Sequence, residues 1–279
     1  KGKVYADIIL SESDSGDKYI SNIDVSHDNE SAKQWEKAFE VIDSIIESNG
    51  TEDVETISGA TFSSRAIIDA VNNALDQAVI ENDDAIFSSG SGTEKDPYMI
   101  TSLNNLRNFS KAVNSGEGYA GKYISLGRNI DLDGIDWEPV GTATNAFKGN
   151  FNGNNHVISN MTIGRESEPL DLQYASLFGY VTNSAEFHNV NLEGVSIFIE
   201  PSKSAYAGTL AAFSKVESGS NTGTVFNNCH VQGSINVNTS GSAIAGGLTG
   251  FTNQNCVIAN CGADVEMTLN GGNKTVNAG

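Results

Sequence analysis

Basic side chains are scarce in this sequence. Lys and Arg number 16 against 35 Asp and Glu, which gives a formal net charge of −19. Nucleic-acid binding needs clustered Lys and Arg to neutralise phosphates, and an anionic membrane surface repels a chain of this charge. We therefore expect no nucleic-acid partner, and we interpret the acidic residues as a solvated exterior.

Long apolar runs are also lacking. No stretch approaches the length of a transmembrane helix, and no signal-peptide pattern is present. The first residue is Lys1 rather than Met, so we expect a trimmed or mature fragment. The missing signal then does not argue against secretion.

Cysteine and proline are few. Three Cys without a C-x-x-C pair exclude a thiol redox motif and a zinc site built from Cys alone. The chain has only 4 Pro but 29 Gly, and it is rich in Asn, Ser and Thr. This composition is typical of short strands joined by many tight turns.

Residues 1–86 predict a compact α+β domain. Alternating apolar and polar residues favour a hairpin with strands at 4–10 and 19–25. Apolar residues at helical spacing then predict helices over 32–48 and about 64–78. The segment is strongly acidic, with 19 acidic and 6 basic side chains.

The rest of the chain has a different organisation. Gly, Ser and Pro in residues 87–97 predict a flexible linker, and Ser102 is expected to cap a helix over 103–114. From about residue 119, short strands alternate with Gly and Asn. One element recurs at 177–180, 210–213 and 248–251. The sequence thus predicts a multidomain chain in which residues 98–279 form an all-β repeat domain.

A strand–turn unit this short cannot bury its own apolar side, so successive units are expected to stack about 4.8 Å apart. The repeats predict one inward column of Met161, Val190, Cys229 and Cys261, beside Asn residues that pair their amides at the turns. The cysteines are then buried small hydrophobic residues, with a Cys229–Cys261 disulfide or metal ligation as open alternatives. The predicted helix over 103–114 is placed to cap the N-terminal end. The other end has no polar cap, so we expect further coils in the natural protein.

The stretch around Thr61 is the most specific for chemistry. Ser58-Gly59-Ala60 is a small-residue turn, where a bulky ligand can approach the backbone closely. Thr61 supplies a hydroxyl just before a predicted helix, whose free N–H groups and dipole suit a phosphate. Arg65, one turn further on, is a candidate for a charge-assisted contact. An ordinary Ser/Thr-rich helix cap is the alternative that these residues alone leave open.

Ser58-Gly59-Ala60-Thr61, followed by Ser63-Ser64 and an Ala-rich helix, resembles the FMN-binding domain family, as does the segment 27–31 upstream. The resemblance implies FMN esterified through its phosphate to Thr61, and a separate flavin transferase that uses FAD as donor. It implies an electron carrier between redox partners rather than a turnover enzyme by itself. The expected cofactor-binding residues are Thr61, Ser58, Gly59, Ala60, Ser63, Ser64 and Arg65, with His27 and Glu30 as further candidates to line the flavin site. Glu55 stands where the family usually has Asp.

Residues 137–141, 147–153, 156–160 and 177–180 resemble the GLUG-type repeats of bacterial surface proteins. This second resemblance implies a right-handed parallel β-helix over about residues 97–279. It also implies an extracellular or cell-surface location, with wall or membrane anchoring in the full-length protein. Cell-wall or surface glycans are the ligands that such a scaffold suggests.

Two other functions stay open. The first is a surface adhesin or glycan-binding protein whose small domain carries no cofactor, a reading that Glu55 favours and Thr61 with its motif disfavours. The second is an enzyme acting on polysaccharide, for which no grouping of acids and bases stands out. Asp131, Asp133 and Asp136 have the chemistry of calcium ligands, but their spacing does not complete an EF-hand. We interpret them as turn caps.

Overall fold

A computed structural model of the chain describes residues 3–12, 18–28, 32–51, 54–80, 85–133, 135–182, 184–216, 222–252, 255–272 and 275–279. The chain divides into two compact units, residues 1–83 and 84–279. Within the described ranges, no helix combines the length and the apolar character needed to cross a bilayer.

The first unit starts with two antiparallel strands, β1 (Val4–Glu12) and β2 (Lys18–His27), whose register shifts between Ile9 and Leu10. Both strands of the predicted hairpin are confirmed, and its predicted turn at 13–17 lies outside the described residues. Alternate side chains of the two strands face the helices that follow, and the opposite face leaves the side chains of Tyr5 and Ile9 largely exposed.

Three helices complete the first unit: α1 (Ala32–Ala38), α2 (Glu40–Ser48) and α3 (Thr61–Ile80). The prediction of one helix over 32–48 is wrong at Phe39, where Ile42 N–H donates to Phe39 O in an i,i+3 bond and the helix is interrupted. The prediction for α3 is also too short, because this helix starts three residues earlier than expected.

A single apolar core holds the first unit together. Ile20 and Ile23 of β2 meet Trp35 and Ala38 of α1 there. The other buried members come from the preceding loop, α2 and α3: Val41, Ile42, Ile45, Ala60, Ile67, Ile68 and Val71. Ala60, directly before α3, belongs to this core.

The second unit is built from parallel strands in four sheets and one helix, α4 (Leu103–Asn114). The first sheet contains β3 (Tyr98–Ile100), β4 (Tyr123–Leu126), β6 (Asn150–Asn152), β11 (Glu186–His188), β15 (Val225–Asn227) and β19 (Val257–Ala259). The second contains β5 (Ile130–Asp131), β7 (Val157–Ser159), β8 (Thr162–Ile163), β12 (Asn191–Ile199), β16 (His230–Asn238) and β20 (Gly262–Asn270). The third contains β9 (Tyr174–Ala175), β13 (Ala205–Gly208), β17 (Ala243–Gly246) and β21 (Val276–Ala278). The fourth contains β10 (Phe178–Thr182), β14 (Ala211–Lys215) and β18 (Thr249–Phe251).

From β11 onward, the chain visits the four sheets in rotation, and each strand pairs in parallel with its counterpart in the next coil. The predicted recurring element is confirmed, because Tyr180 pairs in register with Phe213, and Phe213 with Phe251. The predicted stacking of inward residues is also present: the rings of Phe187 and Phe226 lie 5.1 Å apart and nearly parallel.

Asparagines mark one corner of these coils. Asn228 donates from Nδ2 to Oδ1 of Asn189 at 2.8 Å, and Asn189 donates in the same way to Asn152 at 3.0 Å. Asn189 and Asn228 have φ angles of 52° and 56°, a left-handed conformation that Asn tolerates better than most residues. The predicted amide pairing is therefore confirmed for Asn189 and Asn228, whereas Asn160 donates to Asp131 and Asn260 donates to Asn227.

The predicted inward column is only partly correct. Val190, Cys229 and Cys261 lie in register, as the pairing of β12, β16 and β20 requires. Met161 instead lies beside Val195, because Ser196 N–H donates to Met161 O. Because Val157 pairs with Asn191 and Thr162 with Ser196, the counterpart of Val190 in the earlier coil is His156, and Asn160-Met161 is not the copy of Asn189-Val190 that the sequence suggested.

Helix α4 covers one end of the stack, as predicted, with Ser102 Oγ accepting from Asn105 N–H at 3.0 Å. Phe109 is fully buried and contacts the rings of Phe147 and Phe151. The predicted flexible linker at 87–97 is wrong in this respect: these residues pack within the second unit. The ring of Phe87 stacks 4.4 Å from that of Tyr98, and the observed division falls between residues 83 and 84.

The last coil is less well buried than the coils before it. Val257 and Ile258 of β19 are 50% and 53% exposed, whereas Phe226, which pairs with Ile258 in register, is fully buried. The cysteines of this region are free thiols, and Cys229 N–H donates to Cys261 Sγ at 3.4 Å.

Candidate functional site

A tight turn precedes the first residue of α3. Ala60 N–H donates to Ile57 O at 2.9 Å, which closes a four-residue turn across Ser58 and Gly59. Gly59 has a φ of +81°, the conformation that the third position of a type II turn requires and that side chains with a Cβ rarely adopt. The glycine of the motif is therefore needed for the backbone path into the helix.

The Ser64 side chain connects this turn to the helix through hydrogen bonds. Its hydroxyl is fully buried, accepts a hydrogen bond from Ile57 N–H at 3.0 Å and donates one to Ala60 O at 2.8 Å. Ser63 beside it is 4% exposed. Of the residues expected to bind the cofactor, Ala60, Ser63 and Ser64 thus lie inside the domain, where the contacts of Ser64 position the turn.

Thr61 lies on the outside of the same turn. It is the first residue of α3, and its side chain is exposed, as are those of Ser58 and Arg65. The first N–H groups of an α-helix have no partner within the helix and carry partial positive charge. The exposed Thr61 side chain therefore lies at the N-terminal end of α3.

Phe62 is the most exposed large apolar side chain in the described part of the chain, at 82%. A phenylalanine in this position leaves most of its ring in water, although burial of such a ring is favourable by about 1.5–3 kcal/mol. Its place directly after Thr61 provides an apolar surface next to the hydroxyl.

Arg65 and Asp69 lie one helical turn apart on α3. Burial raises the pKa of the Asp69 carboxyl, and the charge of Arg65 opposes that rise. The guanidinium therefore already interacts with a carboxylate of its own helix, and an anion bound at Thr61 would share it.

Lys37 is a neighbour of the motif that the sequence did not reveal. Its Nζ lies 3.3 Å from the position that a Cβ on Gly59 would occupy, so the ammonium group rests against the turn. The contact joins residues 22 positions apart on different elements, and no spacing rule within the motif points to it. Packing of α1 against α3 brings the two together.

The upstream candidates are placed only in part. The ring of His27 lies 4.3 Å from that of Trp35, and Glu55 is exposed. Glu30 lies outside the described residues.

The acidic residues near β5 make protein contacts. Asp131 Oδ1 accepts from Asp133 N–H at 3.0 Å and from Asn160 Nδ2 at 2.8 Å, while Asp136 pairs with Arg165 at 2.7 Å. These are the contacts of turn caps and a surface ion pair. Across the described residues, no group of three or more His, Cys, Asp and Glu side chains has the arrangement of a metal site.

A polar groove lies at one corner of the second unit, in an open cavity of about 410 Å³. It follows equivalent turns of three successive coils, where Asn238 Nδ2 donates to Glu200 Oε1 at 2.7 Å and Asn238 pairs in register with Asn270. The lining is made of amides, hydroxyls and one carboxylate: Glu200, Pro201, Ser202, Asn238, Thr239, Ser240, Asn270 and Gly272.

Two curated proteins are similar to part of this chain. A Gly-rich membrane protein of Evansella cellulosilytica is 34% identical over 143 residues, which cover 48% of this chain and 15% of that protein. Halomucin of Haloquadratum walsbyi is 26% identical over 193 residues, which cover 65% of this chain and 2% of that protein. The chain thus spans only a small part of the length of either curated relative.

Among solved structures, a Bacteroides ovatus chain described as an immunoglobulin A1 protease is 21% identical with a TM-score of 0.40, covering 66% of this chain and 70% of the other. The family description that matches is the FMN-binding domain, over residues 2–76. This range includes the hairpin, α1, α2, the start of α3 at Thr61 and most of that helix, so the first unit matches the FMN-binding domain.

Proposed function

We propose that the first unit holds FMN covalently, through a phosphoester to Thr61, and serves as an electron-transfer module. The observation that carries the proposal is the exposed Thr61 hydroxyl at the start of α3, within the segment that matches the FMN-binding domain. Bound FMN would supply the redox chemistry, and the protein would position it.

The residues around Thr61 fit this cofactor. The turn at Gly59 has no side chain to obstruct a close approach, and the start of α3 favours a phosphate. The ring of Phe62 offers an apolar surface to the flavin, which would remove that ring from water. The buried Ser64 hydroxyl keeps turn and helix in one geometry while this surface stays accessible.

Attachment is a phosphoryl-group transfer catalysed by a separate flavin transferase. Thr61 Oγ1 forms a bond to the phosphorus on the flavin side of FAD, the phosphoanhydride bond breaks, and AMP leaves. The hydroxyl proton passes to a base of the transferase. No oxidant or reductant is consumed in this step.

The scaffold and location are part of the same proposal. The rotation of parallel strands through four sheets supports a right-handed β-helix with GLUG-type repeats, because parallel crossovers are almost always right-handed. One relative is named a membrane protein, which supports a cell-surface or extracellular location. The module would then pass electrons between redox partners outside the bacterial cell.

Co-expression with a flavin transferase tests the attachment. We expect the intact protein to gain the mass of one FMN less one water, and to show flavin fluorescence that survives denaturation. Thr61→Ala should lose both signals completely, because no nucleophile remains. Thr61→Ser, which keeps a hydroxyl, should retain measurable attachment.

Absence of bound flavin in the wild-type protein under every condition would contradict the proposal. It would favour the second candidate, a surface adhesin or glycan-binding protein without cofactor. The groove of the second unit is the observation on its side, since amides and hydroxyls repeated in successive coils suit hydrogen bonding to sugar hydroxyls.

A further inference from the structure

We propose that Lys37 is a positioning residue for the flavin and pairs its ammonium group with the phosphate attached at Thr61. This inference rests on the proposed function. The observation behind it is the approach of Lys37 Nζ to 3.3 Å from the position of a Cβ on Gly59, two residues before Thr61.

The backbone of Lys37 is firmly held. Trp35 and Ala38, on either side of it in α1, are buried in the same core as Ala60. The turn and the end of α1 therefore share one set of packing contacts. The backbone from which the Lys37 side chain extends is therefore held in place, although the side chain itself is exposed.

The negative charge of the first unit is a reason to expect a cation at this position. Residues 1–86 carry 19 acidic and only 6 basic side chains, so the field around the unit opposes the approach of an anion. FMN and FAD are both anionic through their phosphates. A cation beside the attachment point would offset this repulsion at short range, where it is least screened.

Arg65 is the other cation close to the motif, but it interacts with Asp69 on its own helix. Lys37 approaches from a different element and rests on the turn itself. The two cations therefore differ in role: Arg65 belongs to α3, and Lys37 faces the turn that leads into it.

A purely structural role for Lys37 makes a different prediction. Lys37 lies in the last turn of α1, where a cation interacts favourably with the helix dipole. That role would alter the stability of the domain and leave the environment of the phosphate unchanged.

The test compares Lys37→Gln, Lys37→Arg and Lys37→Ser with Lys33→Gln. Lys33 is exposed on the same helix, so its replacement removes the same charge from the same element. With purified transferase and limiting FAD, we expect Lys37→Gln and Lys37→Ser to slow attachment about two- to fivefold, the range for an ion pair at an exposed site. Lys37→Arg should stay close to wild type.

The second measurement is the ³¹P resonance of the loaded protein. It should shift in Lys37→Gln and stay in place in Lys33→Gln, because only Lys37 adjoins the phosphate. Thermal unfolding of each variant shows whether the fold is intact. Equal attachment rates and equal ³¹P resonances for Lys37→Gln and Lys33→Gln would overturn the inference while the flavin proposal stands.

Binding of free FMN to Thr61→Ala separates the two proposals further, since this variant cannot form the ester. Flavin fluorescence quenching should give an affinity about two- to fivefold weaker when Lys37→Gln is added. If neither Thr61→Ala nor the wild-type chain takes up FMN in any form, both the flavin proposal and the role of Lys37 fail together.

Discussion

The two units of this chain pair their strands in opposite ways. In the first unit, β1 and β2 form one antiparallel pair whose inner face is covered by helices and whose outer face leaves Tyr5 and Ile9 exposed. In the second, each strand pairs in parallel with its counterpart in the next coil, and Phe187 and Phe226 stack in a fully buried interior.

The two units differ in what their architecture provides: a repeated apolar core in the second unit, and the candidate site at Thr61 in the first. Repetition lets every added coil bury the apolar side of the coil before it, so the second unit gains a core that its short segments lack alone. The first unit builds a small core once, and in doing so holds an exposed hydroxyl beside a helix start. The site at Thr61 depends on a few specific contacts, whereas the second unit depends on many similar ones.

The largest effect that we predict is a loss of stability in the second unit alone. Phe226→Ala removes a fully buried ring that stacks on Phe187, and should lower the free energy of unfolding of this unit by about 3–5 kcal/mol. Trp137 is buried in the second unit and Trp35 in the first, so Trp35→Phe and Trp137→Phe backgrounds let urea unfolding report each unit separately.

Phe62→Ala is the matched control, since its ring is 82% exposed and its loss should change stability by no more than about 0.5 kcal/mol. An equal loss in both tryptophan signals for Phe226→Ala would mean that the units unfold together. The two units would then differ in architecture but not in their unfolding.

The next effect concerns the first unit. Ser64→Ala removes the acceptor of Ile57 N–H and the donor to Ala60 O, and leaves polar backbone groups near the core without these partners. We expect a loss of about 1–3 kcal/mol in the free energy of unfolding, read from Trp35, with Trp137 unaffected.

Ser44→Ala serves as the control for Ser64→Ala, because Ser44 is an exposed residue of α2. If Ser64 positions the turn, its replacement should also slow flavin attachment at Thr61, whereas Ser44→Ala should not. Unchanged stability and attachment in Ser64→Ala would show that the turn holds its shape without this hydroxyl.

The sequence predicts the second unit well wherever the repeat spacing is constant. The alignment of Tyr180, Phe213 and Phe251 follows directly from their repeats. The prediction for Met161 is wrong because Asn160-Met161 lies five residues beyond the position that corresponds to Asn189-Val190. Asn followed by an apolar residue also occurs at 129–130, 191–192 and 236–237, and one sequence alone does not reveal which of these pairs share a register.

The sequence predicted only the part of the candidate site that lies within one short motif. Gly59 and Thr61 stand in one short motif, and the structure has Gly59 in the turn and Thr61 at the start of the helix that follows. The contact with Lys37 comes from packing of α1 on α3, and the break at Phe39 comes from a single i,i+3 bond. Neither is encoded by spacing within a motif, since both depend on how the helices settle on the core.

The smallest effect that we predict comes from a thiol. Burial raises the pKa of Cys229 to about 12, with the neighbouring Cys261 acting in the same direction. The folded second unit thus keeps this thiol neutral, while the unfolded chain ionises it near its ordinary value of about 8.5. The contribution of Cys229 to stability is complete below pH 8.5 and is lost as pH rises toward 12.

At pH 9.5, about one unit above the ordinary thiol pKa, this loss should amount to about 1 kcal/mol relative to pH 7.5. Comparison with Cys229→Ala at both pH values isolates the pH dependence that Cys229 adds, including its interaction with Cys261. The first unit supplies an internal control: the three cysteines stand at positions 229, 256 and 261, so its unfolding, read from Trp35, should not differ between the two proteins. The same pH dependence for wild type and Cys229→Ala would mean that the buried thiol ionises without cost, and that the interior of the second unit is more open to water than its packing indicates.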